Sequence, residues 1–466
     1  MRTVLFLLGI GAALAGCAGF SADGGFAAAQ QAARQHLNDK ELIWDRSIAD
    51  RDRIDARVAE LLSQPLDVDA AVQVALLNHR GLQADFHELG ITEAELVQAS
   101  RLPNPGFTFA RLEAGDEREI DRSFHFSLAR LVAMPWLREA AQRRFELSQG
   151  AVAMRVIEHG ADARRAWVQA VAAQETVRYA RQVMRAAEAS AELARRMQQV
   201  GNFSALQRAR EQAFYADAAL DVARAEQGAR AARERLARLM GLWGAQVDYR
   251  LPERLPDLPK DARDLPDLER SAISQRLDVH GARLAAQEAA ARLGLTGAAR
   301  FTDGLELGLE RNSSNERTTQ TGWEIGLALP LFDWGDARAK RAEHAYQQAA
   351  KRAEQVAIDA RSQVREAYGA YRTAFDIARH HHDEIVPLRQ KVLDENVLRY
   401  NGMLIGVFEL LADARLQIAS VNAAIEALRD FWLADADLEM ALIGKPSLAP
   451  MTGASPPTTA GSAEAH

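Results

Sequence analysis

One short segment of the chain alternates like a β-strand, although the sequence around it is spaced for long helices. Between residues 321 and 329 a large apolar side chain occupies every second position: Trp323, Ile325, Leu327, Leu329. The side chains between them are small or charged, and this alternation predicts a strand with one apolar face. Pro330 ends the alternation, and helical spacing resumes at Asp336. The chain must therefore combine a two-faced strand with long helices.

The same alternation occurs in two regions, each long enough for a pair of strands. The second region, Leu305–Leu331, contains the segment above, a polar turn at residues 311–320 and an outgoing strand with alternating leucines. The first region, Phe107–Val132, has alternating apolar residues on both sides of a polar middle. A transmembrane β-strand needs about 9–11 residues, which fits both regions. Three tryptophans stand near the predicted strand ends, where interfacial aromatic residues are favoured: Trp136, Trp323, Trp334.

The chain is predicted to be an internal duplication. Each half contains, in the same order, a helix, a strand region, a proline, a very long helix, a glycine turn and a second long helix that ends at a glycine. The matched prolines, turn glycines and closing glycines are Pro135 and Pro330, Gly201 and Gly402, Gly241 and Gly444. We expect the repeats to span residues 66–246 and 267–444. A proline-rich connector occupies residues 247–266, and residues 445–466 have the composition of a disordered tail.

The long helices are predicted from a stripe composed mostly of alanine. In the second half this stripe recurs at steps of three and four residues from Ala342 until Pro387. A helix from Asp336 to Tyr400 would be about 95 Å long, which exceeds an ordinary globular core. Alanine permits close approach of neighbouring helices and suits a coiled-coil-like wall. A solitary coiled-coil rod would explain these helices, but it would leave the strands unexplained.

The N-terminus has the pattern of an export signal. Arg2 precedes an apolar run that ends at about Ala15, and Leu14-Ala15-Gly16-Cys17 resembles the bacterial lipobox, whose cysteine is acylated. Cys17 is the single cysteine of the 466 residues, so an internal disulfide is excluded. We therefore expect residues 1–16 to be a lipoprotein signal peptide and residues 17–65 a lipid-anchored segment. An ordinary signal peptide with an incidental cysteine, or an uncleaved membrane anchor, are the alternatives.

The charge and the strand count limit the function classes. The net charge of −7 and the pI near 6 give no basic field for a nucleic acid. Later segments lack the roughly 18 consecutive apolar residues of a transmembrane helix, so a membrane-spanning form would use strands. Four strands cannot enclose a lumen, and an open sheet edge is not viable in lipid, so several chains would share one barrel. A soluble four-stranded platform covered by helices is the alternative.

These features together resemble the TolC family of outer-membrane efflux proteins, including its lipoprotein members. The resemblance extends from about Leu66 to Gly444, and its most specific stretch runs from Gly322 to Ala349. It implies a mainly α fold with a small membrane β-barrel portion: a trimer whose twelve strands form one barrel, continued by a periplasmic α-helical tunnel. It also implies an outer-membrane location in a Gram-negative bacterium. The implied partners are a periplasmic adaptor and an inner-membrane pump of the RND type.

The resemblance also implies two groups of functional residues. The periplasmic tips that contact adaptors correspond to the turns between paired long helices: Val200, Gly201, Asn202, Phe203, Gly402, Met403, Leu404. We expect Phe203, Met403 and Leu404 to be exposed, and the glycines to supply positive φ. The acidic entrance of the family corresponds, with a one-residue shift, to Glu409 and Asp413, one helical turn apart. Ordinary solvated helix charges are the alternative for that pair.

Catalytic motifs and cofactor motifs are missing from the sequence, so we expect neither enzymatic activity nor a cofactor. Three adjacent histidines, His380, His381 and His382, form a metal-like cluster. Neighbouring residues on a helix point about 100° apart, so these side chains are predicted to lie on a solvated surface rather than to share one ion. The sequence thus predicts a passive outer-membrane channel for drugs or metal ions. A periplasmic coiled-coil lipoprotein scaffold without a channel is the alternative.

Overall fold

The computed structural model describes residues 19–299, 304–328 and 332–447. Cys17, Leu329, Pro330 and most of the predicted tail lie outside the described residues. The helices are α1 Ala27–His36, α2 Ile48–Leu62, α3 Val68–Asn78, α4 Arg80–Ala99, α5 Leu128–Gln199, α6 Ala205–Leu239, α7 Leu268–Gln275, α8 Leu277–Ala299, α9 Asp336–His380, α10 Val386–Asn401 and α11 Val407–Ile443. The strands are β1 Gly106–Ala114, β2 Glu117–Ser127, β3 Glu306–Ser314 and β4 Gln320–Gly326. This mainly helical architecture with a small sheet confirms the predicted fold class.

The four strands form one antiparallel sheet in the order β1-β2-β3-β4. The register places Phe107, Phe124, Leu309 and Trp323 in one continuous row across the sheet. This face also carries Phe126 and Ile325, and these six side chains are exposed by 39–71%. The opposite face carries mainly small and polar side chains, as predicted from the alternation, with Leu112 as an exception. The sheet therefore has one exposed apolar face and one polar face.

Two predicted strand limits are wrong. The first strand region was predicted to reach Val132 and the long helix to start at Pro135, but β2 ends at Ser127 and α5 begins at Leu128. The Ser127 hydroxyl accepts a hydrogen bond from the Arg130 amide at 3.4 Å, and this N-cap starts the helix early. Pro135 consequently lies inside α5, and Trp136 is a helical residue rather than a strand-end residue. In the second pair β4 ends at Gly326, so Leu327 lies beyond the strand.

The long helices make up the wall of the molecule. Helix α5 has 72 residues, about 110 Å at 1.5 Å per residue. It packs against α4 and α6 on one side and against α8 and α11 on the other, while α9 packs against α8 and α11. The order across the wall is therefore α4 with α6, then α5, then α8 with α11, then α9 with α10. The strands lie in the same order as the helices that they join, and β1 and β4 are at the opposite edges of the sheet.

The second long helix is interrupted just before Pro387. Helix α9 passes into a π-helical turn at His381–Ile385, and α10 follows from Val386. Proline lacks an amide hydrogen and its ring clashes with the carbonyl four residues earlier, here that of Asp383. A π turn at this position widens the helix where the clash would occur. The predicted continuous helix from Asp336 to Tyr400 is therefore divided, whereas its partner α5 is not.

Both halves use the same joint between their first two helices. Asn78, at the joint of α3 and α4, is buried and donates hydrogen bonds to the carbonyls of Met240 and Gly241 at 3.1 and 2.9 Å. Arg276, at the joint of α7 and α8, is buried and donates to the Ala441 carbonyl at 3.2 Å. Each joint thus satisfies carbonyls at the end of the closing helix of its own half. The repeated topology agrees with a duplication, although the exact segment limits remain predictions.

The N-terminal segment forms a layer on one face of the wall. Helix α1 packs against α5, and Phe26, Trp44 and Phe86 join their rings in one cluster with centroid distances of 4.9–6.5 Å. The Ser21 amide donates to Glu93 Oε1 on α4 at 2.6 Å. The chain is thereby fixed to α4 and α5 only a few residues after Cys17.

Candidate functional site

The turn between α5 and α6 forms the first hairpin tip. Val200 is exposed, and Gly201 has a φ of +82°, as predicted for a glycine in this turn. The amides of Asn202 and Phe203 both donate to the Met197 carbonyl, at 2.8 and 3.3 Å. The Phe203 side chain is only 8% exposed, so the prediction that it is exposed is wrong. The folded turn buries this ring, which leaves Val200 as the prominent apolar side chain of the first tip.

The turn between α10 and α11 forms the second hairpin tip and differs from the first. Gly402 has a φ of −80°, so the predicted positive φ is not at this glycine. Met403 adopts the left-handed conformation instead, with a φ of +60°. Its side chain is 94% exposed and that of Leu404 is 77% exposed. A non-glycine residue with positive φ and a fully exposed apolar side chain is unfavourable for an isolated turn, which points to a role outside the chain's own fold.

The predicted entrance pair lies at the start of α11. Glu409 is exposed in the first turn of the helix, and Asp413 is partly buried one turn later. The Asn396 side-chain amide, on α10, donates a hydrogen bond to Asp413 Oδ2. The two carboxylates therefore share a face of α11, and only Asp413 is fixed by the neighbouring helix.

A partly buried ion pair near the tips was not predicted. Glu211 on α6 is 2% exposed and accepts from Arg415 on α11 at 3.0 Å and from Ser190 on α5 at 2.8 Å. The Arg415 guanidinium also lies over the Phe214 ring, 4.3 Å from its centroid. This pair connects the hairpin of the first half to the hairpin of the second. Its sequence signal is weak, because a glutamate and an arginine on separate amphipathic helices look like ordinary surface charges.

The three adjacent histidines belong to the π turn and its preceding residue. His380 Nδ1 lies 3.3 Å from Glu384 Oε2, and His382 Nδ1 lies 2.7 Å from Asp383 Oδ1. His381 Nδ1 is buried, and burial, assisted by the charge of His380, lowers the pKa of His381. Within residues 19–299, 304–328 and 332–447, three or more side chains suited to a metal ion do not converge anywhere. In the same described parts, helices long and apolar enough to cross a bilayer are lacking.

Comparison with known proteins identifies the architecture. Residues 268–436 match the family model described as outer membrane efflux protein. Curated protein sequences give no match. Solved structures of the same fold are a membrane protein from Pseudomonas aeruginosa, the Campylobacter jejuni CmeC outer membrane channel and the Neisseria gonorrhoeae MtrE outer membrane channel in its open state.

The likeness to these structures extends over most of each chain. The Pseudomonas protein is 21% identical, with a TM-score of 0.68 and coverage of 86% of this chain and 95% of that one. CmeC is 12% identical, with a TM-score of 0.67 and coverage of 86% and 88%. MtrE is 20% identical, with a TM-score of 0.65 and coverage of 81% and 89%. At these identities the structures establish the fold.

Proposed function

Since residues 268–436 match the outer membrane efflux protein family model and the chain shares the TolC-type fold, we propose that it is the outer-membrane channel of a tripartite efflux system. It would conduct drugs or metal ions passively from a periplasmic adaptor and an RND-type inner-membrane pump to the cell exterior. The observation that carries this proposal is the direct continuation of a sheet with an exposed apolar face into a wall of very long helices. The apolar face suits lipid and the polar face suits a water-filled lumen.

We propose a homotrimer as the conducting form. Strands β1 and β4 are the free edges of the sheet, and the outer helices of the wall lie on the same two sides. Copies placed side by side would pair β1 of one with β4 of the next, giving twelve strands and removing every open edge. Acylation of Cys17 would add lipid anchors next to this barrel, because Ser21 is already fixed to Glu93 on α4.

Conductance measurements test the channel proposal. We expect the purified full-length protein to migrate as a heat-modifiable trimer and to conduct ions in planar lipid bilayers. A periplasmic scaffold would instead remain soluble after removal of its lipid and would leave the bilayer sealed. The second outcome would reject the channel and favour the scaffold.

The acidic pair on α11 is proposed as part of the entrance. Three copies of Glu409 and Asp413 near a trimer axis would form a carboxylate ring that attracts cations. We expect the double variant Glu409→Gln/Asp413→Asn to lose cation selectivity and block by multivalent cations, with trimer assembly intact. Wild-type selectivity and block in this variant would identify the pair as solvated helix charges.

A further inference from the structure

A large cleft opens between α8 and α9 at the end of the wall next to the sheet. Its volume is about 690 Å³, and its lining includes five alanines and, on α8, Leu295. A second cleft of about 430 Å³ lies between α4, α5 and α8. Arg292, Leu295 and Thr296 line both clefts, which therefore adjoin along one stripe of α8 and are together called the depression. Its volume falls in the range of small-molecule sites.

On α4, the depression and the N-terminal segment lie on opposite sides of the helix. On α4, Glu93 binds the N-terminal segment through Ser21. Glu95, which lines the depression, is two residues further and hence about 200° around the helix. In a tunnel the bulky N-terminal layer can only cover the outside, so the depression would face the lumen. This step rests on the proposed function.

Among the described residues that line the depression, arginines outnumber carboxylates. Its arginines are Arg144, Arg292, Arg338 and Arg341, and its acidic residues are Glu95 and Glu288. Arg144 is paired with Glu95 at 3.0 Å, and Arg292 is paired with Glu288. Arg341 is exposed at the rim of the larger cleft. An apolar floor bordered by guanidinium groups is complementary to a ligand with an apolar body and an anionic head.

We propose that this depression is a binding site for small amphiphilic anions that pass through the tunnel. The alanine floor receives the apolar body of the ligand, and Arg341 and Arg292 bind its sulfonate, carboxylate or phosphate group. Glu288 competes with the ligand for Arg292, so removal of its charge strengthens binding. The site thus favours one class of ligand within the tunnel, small amphiphilic anions.

Block of the reconstituted channel by decanesulfonate tests the proposal. Decyltrimethylammonium has the same chain length and the opposite charge, and serves as the matched probe. We expect decanesulfonate to block the wild-type channel at lower concentration than decyltrimethylammonium. The variant Arg292→Gln/Arg341→Gln should need about tenfold more decanesulfonate for half-block, since it loses two charge-assisted contacts. Glu288→Gln should shift half-block in the opposite direction.

Two controls separate this site from general charge effects and from the channel proposal. Arg224→Gln removes an exposed arginine of α6 outside the depression and should leave the block unchanged. Equilibrium dialysis of decanesulfonate against the trimer in lipid nanodiscs measures binding even if the protein does not conduct, so failure of the channel and failure of the site are distinguishable. Equal binding by wild type and the double arginine variant would overturn the site. If the double arginine variant lost trimer stability without a change in binding, the depression would be a contact between copies of the chain. That outcome would also overturn the proposed binding site.

Discussion

At the scale of single residues, the stacked pair His79 and His159 links stability to pH. Their rings lie 4.1 Å apart, and His159 Nε2 is 2.9 Å from the Leu239 carbonyl. Burial, followed by the charge of His79, lowers the pKa of His159 to about 4. Burial also lowers the pKa of His79. The folded state thus favours two neutral imidazoles.

This pair predicts loss of stability in mild acid. Because the unfolded histidines bind protons near pH 6.5, the stabilisation is complete above that pH and is lost as the pH falls towards 4. For His159 the expected loss is on the order of 2–3 kcal/mol. We expect His159→Gln to flatten the change in urea midpoint between pH 7.5 and pH 4.5, because glutamine can keep a donor near Leu239. The exposed His344→Gln should retain the wild-type slope, and a matching slope in both variants would contradict the prediction.

Removal of Arg415 is predicted to destabilise the tip hairpins. Arg415→Met leaves the buried Glu211 carboxylate with Ser190 as its remaining hydrogen-bond partner. We expect a cost of about 2–3 kcal/mol, somewhat below the range for a fully buried pair because Arg415 is partly exposed. The double variant Glu211→Leu/Arg415→Met should recover most of this loss, since both charges are gone. Chemical denaturation of the single variants Arg415→Met and Glu211→Leu and of the double variant measures the coupling, and additive losses would refute it.

Residue-level exposure was the least predictable property from sequence. Phe203 and Met403 occupy similar turns and are both large and apolar, yet one is buried and the other is exposed. The difference arises from the turn conformation, which depends on whether the glycine or its neighbour takes the positive φ. The Arg415–Glu211 pair was likewise hidden, because its partners are separated by about two hundred residues and meet only in the folded wall.

At the scale of elements, periodicity located the strands and helices well but located their ends poorly. The alternation identified all four strands because a two-faced sheet requires it. The start of α5 was misplaced because the cap at Ser127 determines it, whereas Pro135 is accommodated within the helix. Pro387 does interrupt its helix, through the π turn that precedes it. A proline alone therefore does not fix a helix boundary.

The sheet predicts different tolerance at two adjacent positions of β4. Ile325 is exposed on the apolar face, and Gly326 has room for a side chain, since an added Cβ would lie 3.7 Å from the Glu306 Cβ. If the apolar face contacts lipid, Ile325→Arg should cost about 2–4 kcal/mol per strand near mid-membrane. Gly326→Ser should be nearly neutral. The temperature at which the reconstituted trimer dissociates measures the effect of each substitution. Equal dissociation temperatures for the two variants would show that hydrocarbon does not contact this face.

At the scale of the whole molecule, the duplication was predictable while the differences between its halves were not. The buried joints at Asn78 and Arg276 show that both halves close in the same manner. The halves differ where the tips begin: α5 runs unbroken to the first tip, but the π turn at His381–Ile385 interrupts the helix that leads to the second. Residues that recur in the same order in both halves indicate the common topology of the repeats. The structural differences between the halves depend on local packing around single residues.

The tips provide the last prediction, because they are the part of the molecule most distant from the sheet and the proposed contact with the adaptor. Met403 is almost fully exposed, so Met403→Asp should leave the fold and the single-channel conductance unchanged while impairing pump-dependent export in cells. Phe203→Asp is the informative contrast, because it buries a charge in the first turn and should lower the unfolding temperature of the purified protein. Export by Met403→Asp at the wild-type level, with normal amounts of protein in the outer membrane, would exclude Met403 from adaptor contact. The exposed Val200 would then be the remaining apolar candidate of the first tip, and Val200→Asp would test it by the same two measurements.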